Sequence, residues 1–398
     1  MKRDSARAAV TSAGKRGGVP GFKKKTTRLR ETVHSGQNYG MQAAVLFRLN
    51  EVFAVEKIDF VLLWVDDGDP QWQMERKRYA APEAADANND SCDDCRFRDF
   101  GLLRYWFRAV ERFAPWANKI FFVTCGQKPE WLDESHPKLR LVDHREYIPA
   151  EYLPTFNSNT IELNLHRIPD LSEHFVLFND DMYLLRPMQP ETFFRKGLPV
   201  IPCDLSIPRW LGWSTASRVV LNNAGVLKRS MDVERLVWKN MGKFTSIRSL
   251  GLPRAMKNLI SFAVNRMLIP GTFGHLPLPH LKTTFDRIWH AQPRIMDMTS
   301  RCRFRSEYGV NHWMACAWNM LEGRFYPVNE KRLGITVTLN SSEVDRVCRT
   351  IVRQSCPAIC INDSKTDEDI FGMFAEVAKA FETLLPEKSD FEKTSVKK

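Results

Sequence analysis

No window of this 398-residue sequence approaches the roughly 18 to 20 uninterrupted apolar residues of a membrane-spanning helix, so no helical span is expected. The N-terminus also lacks the apolar core of a secretory signal, because basic residues recur throughout it, and a cytoplasmic location is expected. There is no GxxxxGK[ST] and no GxGxxG after a strand, which argues against a P-loop ATPase or a dinucleotide enzyme. There is no GxSxG elbow for a serine hydrolase, and no internal repeat. Nine cysteines, an odd number spread along the chain, do not read as a disulfide framework. Cys92 with Cys95 and Cys356 with Cys360 have spacings from which a zinc site could be built; free thiols in a reducing compartment are the expectation.

What is present is a globular composition, 43% hydrophobic and 26% charged, long enough for one large α/β domain with insertions or for two ordinary domains. The formal charge of +11 is concentrated: residues 1–30 hold ten Lys or Arg against Asp4, leaving 48 basic and 46 acidic residues elsewhere. An arm so poor in large apolar side chains cannot repay the entropy of ordering, so residues 1–37 are expected to be disordered. The arm would act as a solubilising tail or be drawn to anionic lipid at the inner face of the membrane. Its one aromatic, Phe22, offers little for base stacking, and nucleic acid is not an expected partner.

Residues 58–65 (IDFVLLWV) form a continuous apolar run that predicts a strand buried on both faces, ended by the turn Asp66-Asp67-Gly68-Asp69-Pro70. Apolar residues then recur at helical spacing from Leu102 to Phe113, with Asp99 as the expected N-cap and Pro115 just beyond. Strands are predicted at 119–124, 138–142 and 175–178, with helical segments at 129–133, 160–168 and 367–385. Such alternation implies a mainly parallel sheet flanked by helices. Residues 205–275, rich in breakers, read as a helical insertion or lid. Within it, 254–268 reads as an amphipathic helix, its apolar face packed on the main sheet or, alternatively, touching membrane or substrate.

Ligands of parallel sheets collect outside the carboxyl ends of the strands, where both acidic clusters, Asp66 to Asp69 and Asn179-Asp180-Asp181, are expected. Adjacent carboxylates suit a hard cation such as Mg²⁺ or Mn²⁺, although a bare acidic turn has the same sequence. With no glycine-rich phosphate loop, anion binding would fall to arginines near element ends: Arg98, Arg104, Arg167, Arg303 and Arg305. His275, His280, His290 and His312 flank a Pro-punctuated loop, and a neutral imidazole could take a proton from a hydroxyl.

In order along the chain, four stretches resemble the Stealth family of capsular polysaccharide phosphotransferases, related to the catalytic parts of N-acetylglucosamine-1-phosphotransferase. They are Ile58-Asp59-Phe60 through Trp72; Arg96-Phe97-Arg98-Asp99 through Gly126-Gln127, Glu162 and His166-Arg167 to Asp181; His275 to Lys282 with Phe304-Arg305-Ser306 and Asn311-His312-Trp313; and Cys360-Ile361-Asn362-Asp363. Phe100, Leu102 and Asn159 depart from the family's common Asn, Glu and His, which bears on sugar contacts more than on reaction class.

The resemblance implies a glycosyltransferase-A-like fold, with a basic arm (1–37), a catalytic domain (38–365, including the 205–275 insertion) and a C-terminal helix and tail (366–398). It implies transfer of a hexose or N-acetylhexosamine 1-phosphate from a UDP-sugar, such as UDP-N-acetylglucosamine, to a hydroxyl of a surface or capsular polysaccharide, releasing UMP. Asp180, Asp181, Asn362 and Asp363 would hold the metal, and Asp59, Trp64, Asp66, Asp69 and Arg98 would form the nucleotide site. Arg167 and Arg305 would compensate phosphate charge, with His280 as base and His166 as second choice. A metal-dependent glycosyltransferase releasing UDP and a non-catalytic glycan-binding protein are the alternatives.

Overall fold

The apolar run after Lys57 becomes β1 (Ile58–Leu63), buried along its whole length. It lies at the centre of a computed structural model that describes residues 56–80, 97–205, 215–264, 273–363 and 369–393, all within one unit that begins at Glu56. The basic arm, Cys92 and Cys95 lie outside the described residues.

Beside β1 stand β2 (Ile120–Thr124), β3 (Leu139–Asp143) and β4 (His174–Asn179), all parallel. The chain continues through β5 (Met182–Leu184), β6 (Phe194–Arg195), β7 (Leu198–Pro202) and β8 (Leu278–Leu281) to β9 (Tyr326–Val328), β10 (Ile335–Thr338) and β11 (Ala358–Asn362). The main sheet has the order β3-β2-β1-β4-β8, with β8 antiparallel to β4; β10-β11-β5 and β6-β7-β9 form two smaller sheets. This is the expected mainly parallel, helix-flanked α/β architecture, compatible with a glycosyltransferase-A-like fold. Leu63 of β1 pairs with Val123 of β2 and with Asn179 of β4, so three carboxyl ends reach one edge together.

Among the described residues, helices of seven or more residues are α1 (Pro70–Ala80), α2 (Leu103–Phe113), α3 (Ser158–Asn164), α4 (Thr215–Ser230), α5 (Val233–Lys239), α6 (Leu252–Val264), α7 (Lys282–Ala291), α8 (Pro293–Arg301), α9 (Trp313–Leu321), α10 (Val344–Val352) and α11 (Ile370–Leu384). Alternation along β1 divides the core: Phe60 and Leu62 pack with α2 and α11, whereas Val61 and Leu63 pack with α7 and α9. Buried Arg108 of α2 donates to Glu392 (2.7 and 3.1 Å), Glu382 (3.0 Å) and the Leu385 carbonyl (2.8 Å), tying the C-terminal segment to the sheet's helical cover.

Three local expectations are corrected. Asp99 does not cap α2, which begins at Leu103 without a side-chain cap; Asp99 instead accepts from the Gly101 N–H (2.8 Å) and the Trp64 indole (3.3 Å). Residues 129–133 form a turn whose Leu132 bridges to Glu392, because that pairing satisfies the backbone a helix would have used. In α6 the buried residues are Ala255, Asn258 and Phe262, so most of its aliphatic side chains do not pack on the sheet.

Candidate active site

The acidic turn after β4 gains its neighbours through a strand pairing. Residue Met182 of β5 lies opposite Cys360 of β11, and the Ile361 N–H donates to the Asp181 carbonyl (3.0 Å), which draws Cys360, Asn362 and Asp363 beside Asp181. His275, in the lead-in to β8, arrives from a third direction. Its Nδ1 lies 3.3 Å from Asp181 Oδ2, 3.2 Å from Asn362 Oδ1 and 3.4 Å from Cys360 Sγ, and its Nε2 lies 2.7 Å from the Asn179 amide. The Cys360 thiol donates to Asp181 Oδ2 (3.3 Å). Ligand atoms of Asp181, His275 and Cys360 all fall within 4.8 Å of one another, and Asp181 Oδ1 is buried with no hydrogen-bond partner. An unsatisfied carboxylate oxygen beside the Asn362 carbonyl oxygen fits a cation.

Electrostatics separate the adjacent aspartates. Burial and the nearby Asp181 and Asp99 carboxylates push Asp180 well above the usual carboxylate range. Burial would also raise Asp181, but the charge of His275 and hydrogen bonds from His275 and Cys360 outweigh it and hold Asp181 low. Burial likewise disfavours charge on His275, yet Asp181 and the bonds to Asp181 and Asn362 lift it to about 9. Glu162 of α3, buried with Oε2 making no hydrogen bond and lying 3.9 Å from His312 Nε2, is raised to about 7 by burial, with Arg305 and His275 pulling it back.

Arg305 is positioned by its neighbour. Phe304 is buried against Phe156, rings 5.2 Å apart, and the guanidinium donates to Ser158 Oγ at the start of α3 (2.6 and 3.1 Å). Arg98 is ion-paired with Asp363 at 2.9 Å. Two overlapping clefts unite these groups: Trp64 lines one, Arg98, Asn362 and Asp363 line the other, and Asp180, Asp181, His275 and Arg305 line both.

Of the nucleotide-site residues, Trp64 thus faces the cleft, and Asp69 lines an adjoining one with Asp143, His144 and Arg145. Asp66 and Asp69 belong to a turn pinned by Gln127, whose amide accepts from the Asp66 N–H (2.9 Å) and donates to the Asp66 carbonyl (2.9 Å) and Asp69 Oδ2 (3.0 Å). That hydrogen bond from Gln127, opposed by slight burial and helped by the Gln71 and Trp72 N–H groups, holds the Asp69 carboxyl low.

Asp66 lines none of these clefts, and four further expected residues lie away from them. Asp59 is fully buried near the amino end of β1, where it accepts from Asn118 (2.6 Å), the Lys119 N–H (3.1 Å) and the Ser172 N–H (2.8 Å). His280 pairs with Phe175, four residues before Asn179 on β4; it is fully buried, lies 3.1 Å from His312 Nδ1, and is pushed by burial down to about 3. His166 stacks against Phe285 at 6.2 Å and is lowered by burial and by Arg167 to about 4. Arg167 donates to Asn164 (3.1 Å) and lies over Trp289 at 4.7 Å. Conversely, Glu162 belongs to the site although its only sequence signal was a place within a resembling stretch; His275, read there as one of four candidate bases, and Cys360, read as half of a possible zinc pair with Cys356, belong to it as neighbours of Asp181.

Residues 56–81 match Stealth protein CR1, conserved region 1, and residues 96–200 match Stealth protein CR2, conserved region 2. Over 341 residues the chain is 40% identical to the capsular polysaccharide phosphotransferase WcwK of Streptococcus pneumoniae, covering 85% of this chain and all of that protein. It is 38% identical to the receptor polysaccharide phosphotransferase WefC of Streptococcus oralis, covering 85% of this chain and all of that protein. A capsular polysaccharide phosphotransferase of Streptococcus thermophilus, CpsJ, is 45% identical over 193 residues, 48% of this chain and 79% of that protein.

Proposed function

This chain belongs to the Stealth family, and on that premise we propose that it transfers a sugar 1-phosphate from a UDP-sugar to a hydroxyl of a bacterial surface polysaccharide. The observation that carries the reading is the convergence, from separate stretches of chain, of Asp180, Asp181, Asn362, Asp363, Arg98 and Arg305 on one pair of overlapping clefts. That is the equipment for gripping a diphosphate: carboxylates for a cation and guanidinium forks for phosphate oxygens.

Asp180, Asp181, Asn362 and Asp363 would hold Mg²⁺ or Mn²⁺. When bound, the ion supplies neutralisation of charge on the diphosphate oxygens. Arg305, oriented by Ser158, binds the transferred phosphoryl group, and Arg98 binds beside it. The acceptor oxygen attacks the sugar-linked β-phosphorus, the bond from that phosphorus to the bridging oxygen breaks, and UMP leaves as a sugar–phosphate–glycan diester forms. The hydroxyl proton goes to Glu162, whose position near 7 suits a base at neutral pH. His275, charged at that pH and bonded to Asp181, contributes positive charge at the cleft. His280, the base expected from sequence, is too deep in the sheet to receive the proton. The reading includes a cytoplasmic enzyme whose basic arm approaches the inner face of the membrane.

Incubation of the purified protein with Mg²⁺, a panel of UDP-sugars and capsule oligosaccharides, read by ³¹P NMR, tests the proposal. A new diester signal with stoichiometric UMP is expected; UDP would assign an ordinary glycosyltransferase, and glycan binding without donor turnover a binding protein.

A further inference from the structure

From Arg235 to Leu281 and on to Phe285 the sequence contains no Asp or Glu, although the chain holds 47 acids. Within the described part of that span stand Arg235, Lys239, Lys243, Arg248, Arg254, Lys257 and Lys282. The same span exposes aliphatic side chains in a regular row. On α6, Leu252, Met256, Leu259, Ile260 and Val264 recur at helical spacing and are 42–74% exposed, while Ala255, Asn258 and Phe262 occupy the buried face. Asn258 fastens that inner face by donating to the Phe244 carbonyl (2.7 Å) and accepting from the Leu205 N–H (3.0 Å). The helix therefore holds its apolar stripe outward.

Trp238 of α5, itself exposed, stacks on Phe262 at 5.9 Å, and exposed Ile247 belongs to the short helical turn before α6. Arg254 and Lys257 are ion-paired with Asp204, and Lys243 donates to the Gly323 and Phe325 carbonyls. Arg235, Lys239 and Arg248 are exposed beside Trp238 and Ile247. Aliphatic side chains held outward, a tryptophan beside them and exposed cations in excess over the neighbouring acids Asp232 and Glu234 are the composition of a surface that lies in a lipid interface.

We propose that the outward face of α6, with Trp238 and Ile247, docks this protein on an anionic membrane surface. The aliphatic row enters the headgroup boundary, and Arg235, Lys239 and Arg248 meet the acidic headgroups. From Asp232 to Val264 six cations stand against two acids, Asp232 and Glu234, and this excess of positive charge selects anionic lipid over a neutral bilayer or a second copy of this chain. The assignment depends neither on the phosphotransfer reading nor on the basic arm.

The full chain, a form lacking residues 1–37, and a Met256→Ser/Ile260→Ser/Val264→Ser variant are each sedimented with phosphatidylcholine vesicles with and without phosphatidylglycerol. The full chain and the arm-deleted form are expected to bind the anionic vesicles, and the triple variant to bind them at least about tenfold more weakly. Brominated lipid should quench intrinsic fluorescence, with less quenching in Trp238→Phe, which reports insertion even if the triple variant misfolds. Equal binding by a folded triple variant, loss of binding on arm deletion alone, or unchanged quenching in Trp238→Phe would overturn the proposal. So would dispersal of a dimer by the triple substitution, since a second copy would then cover the stripe.

Discussion

Asp59 and Asp181 lie towards opposite edges of the same sheet and are opposites in chemistry. At the amino edge, three donors from two loops converge on Asp59 and leave nothing for a ligand. At the carboxyl edge, Asp181 keeps a buried oxygen without a hydrogen-bond partner, next to Asp180, whose carboxyl is pushed up by burial and by the Asp181 charge. Two histidines repeat the contrast: His280 is neutral among aromatic rings, while His275, five residues earlier, carries charge against Asp181. A polar residue at a strand end signals function when its hydrogen-bonding capacity is left over, and architecture when it is spent.

The largest expected effect sharpens this contrast directly. Asp181→Asn should lower kcat/KM for UMP release by about 100-fold or more, with its melting temperature near that of the parent. Asp59→Asn should lower stability by about 2–3 kcal/mol in urea unfolding while the folded enzyme turns over within a few-fold of normal. Next comes pH. Because Glu162 acts as its carboxylate and His275 as its cation, kcat/KM should rise as Glu162 loses its proton near 7 and fall as His275 loses its own near 9. Glu162→Gln should cost about 100-fold and abolish the acidic limb of that profile. The smallest effect is at His280: His280→Gln should cost about 1 kcal/mol of stability and leave the pH profile in place. A shifted profile there would break the division between the two edges.

The strands were legible because Phe60–Leu63 of β1 and Phe175–Phe178 of β4 are apolar runs followed by turn-forming residues, and burial on both faces permits little else. The placement of Asn179-Asp180-Asp181 followed from that alone. Asp99 misled because capping is a local rule, and here the indole of Trp64, 35 residues away, competes for the same carboxylate. His275 and His280 could not be told apart because His-Leu-Pro-Leu-Pro-His does not reveal where β8 begins; its antiparallel register with β4 decides which imidazole reaches the cleft. Glu162 looked like one more polar residue on a short helix, and only tertiary burial raises it to a useful range. The stripe on α6 was visible as periodicity, but periodicity does not say which face turns inward, and Asn258 does.

The central claim is that Asp181 and Asn362, 181 positions apart in sequence, share one cation beside a diphosphate. Crystals grown with Mn²⁺ and a non-hydrolysable UDP-sugar analogue, measured at the manganese edge, test it most directly. An anomalous peak in coordination contact with Asp181 Oδ1 and the Asn362 side-chain oxygen, with Arg305 on the analogue's β-phosphate, is predicted. A fully bound analogue whose manganese and diphosphate lie away from Asp181 would contradict it.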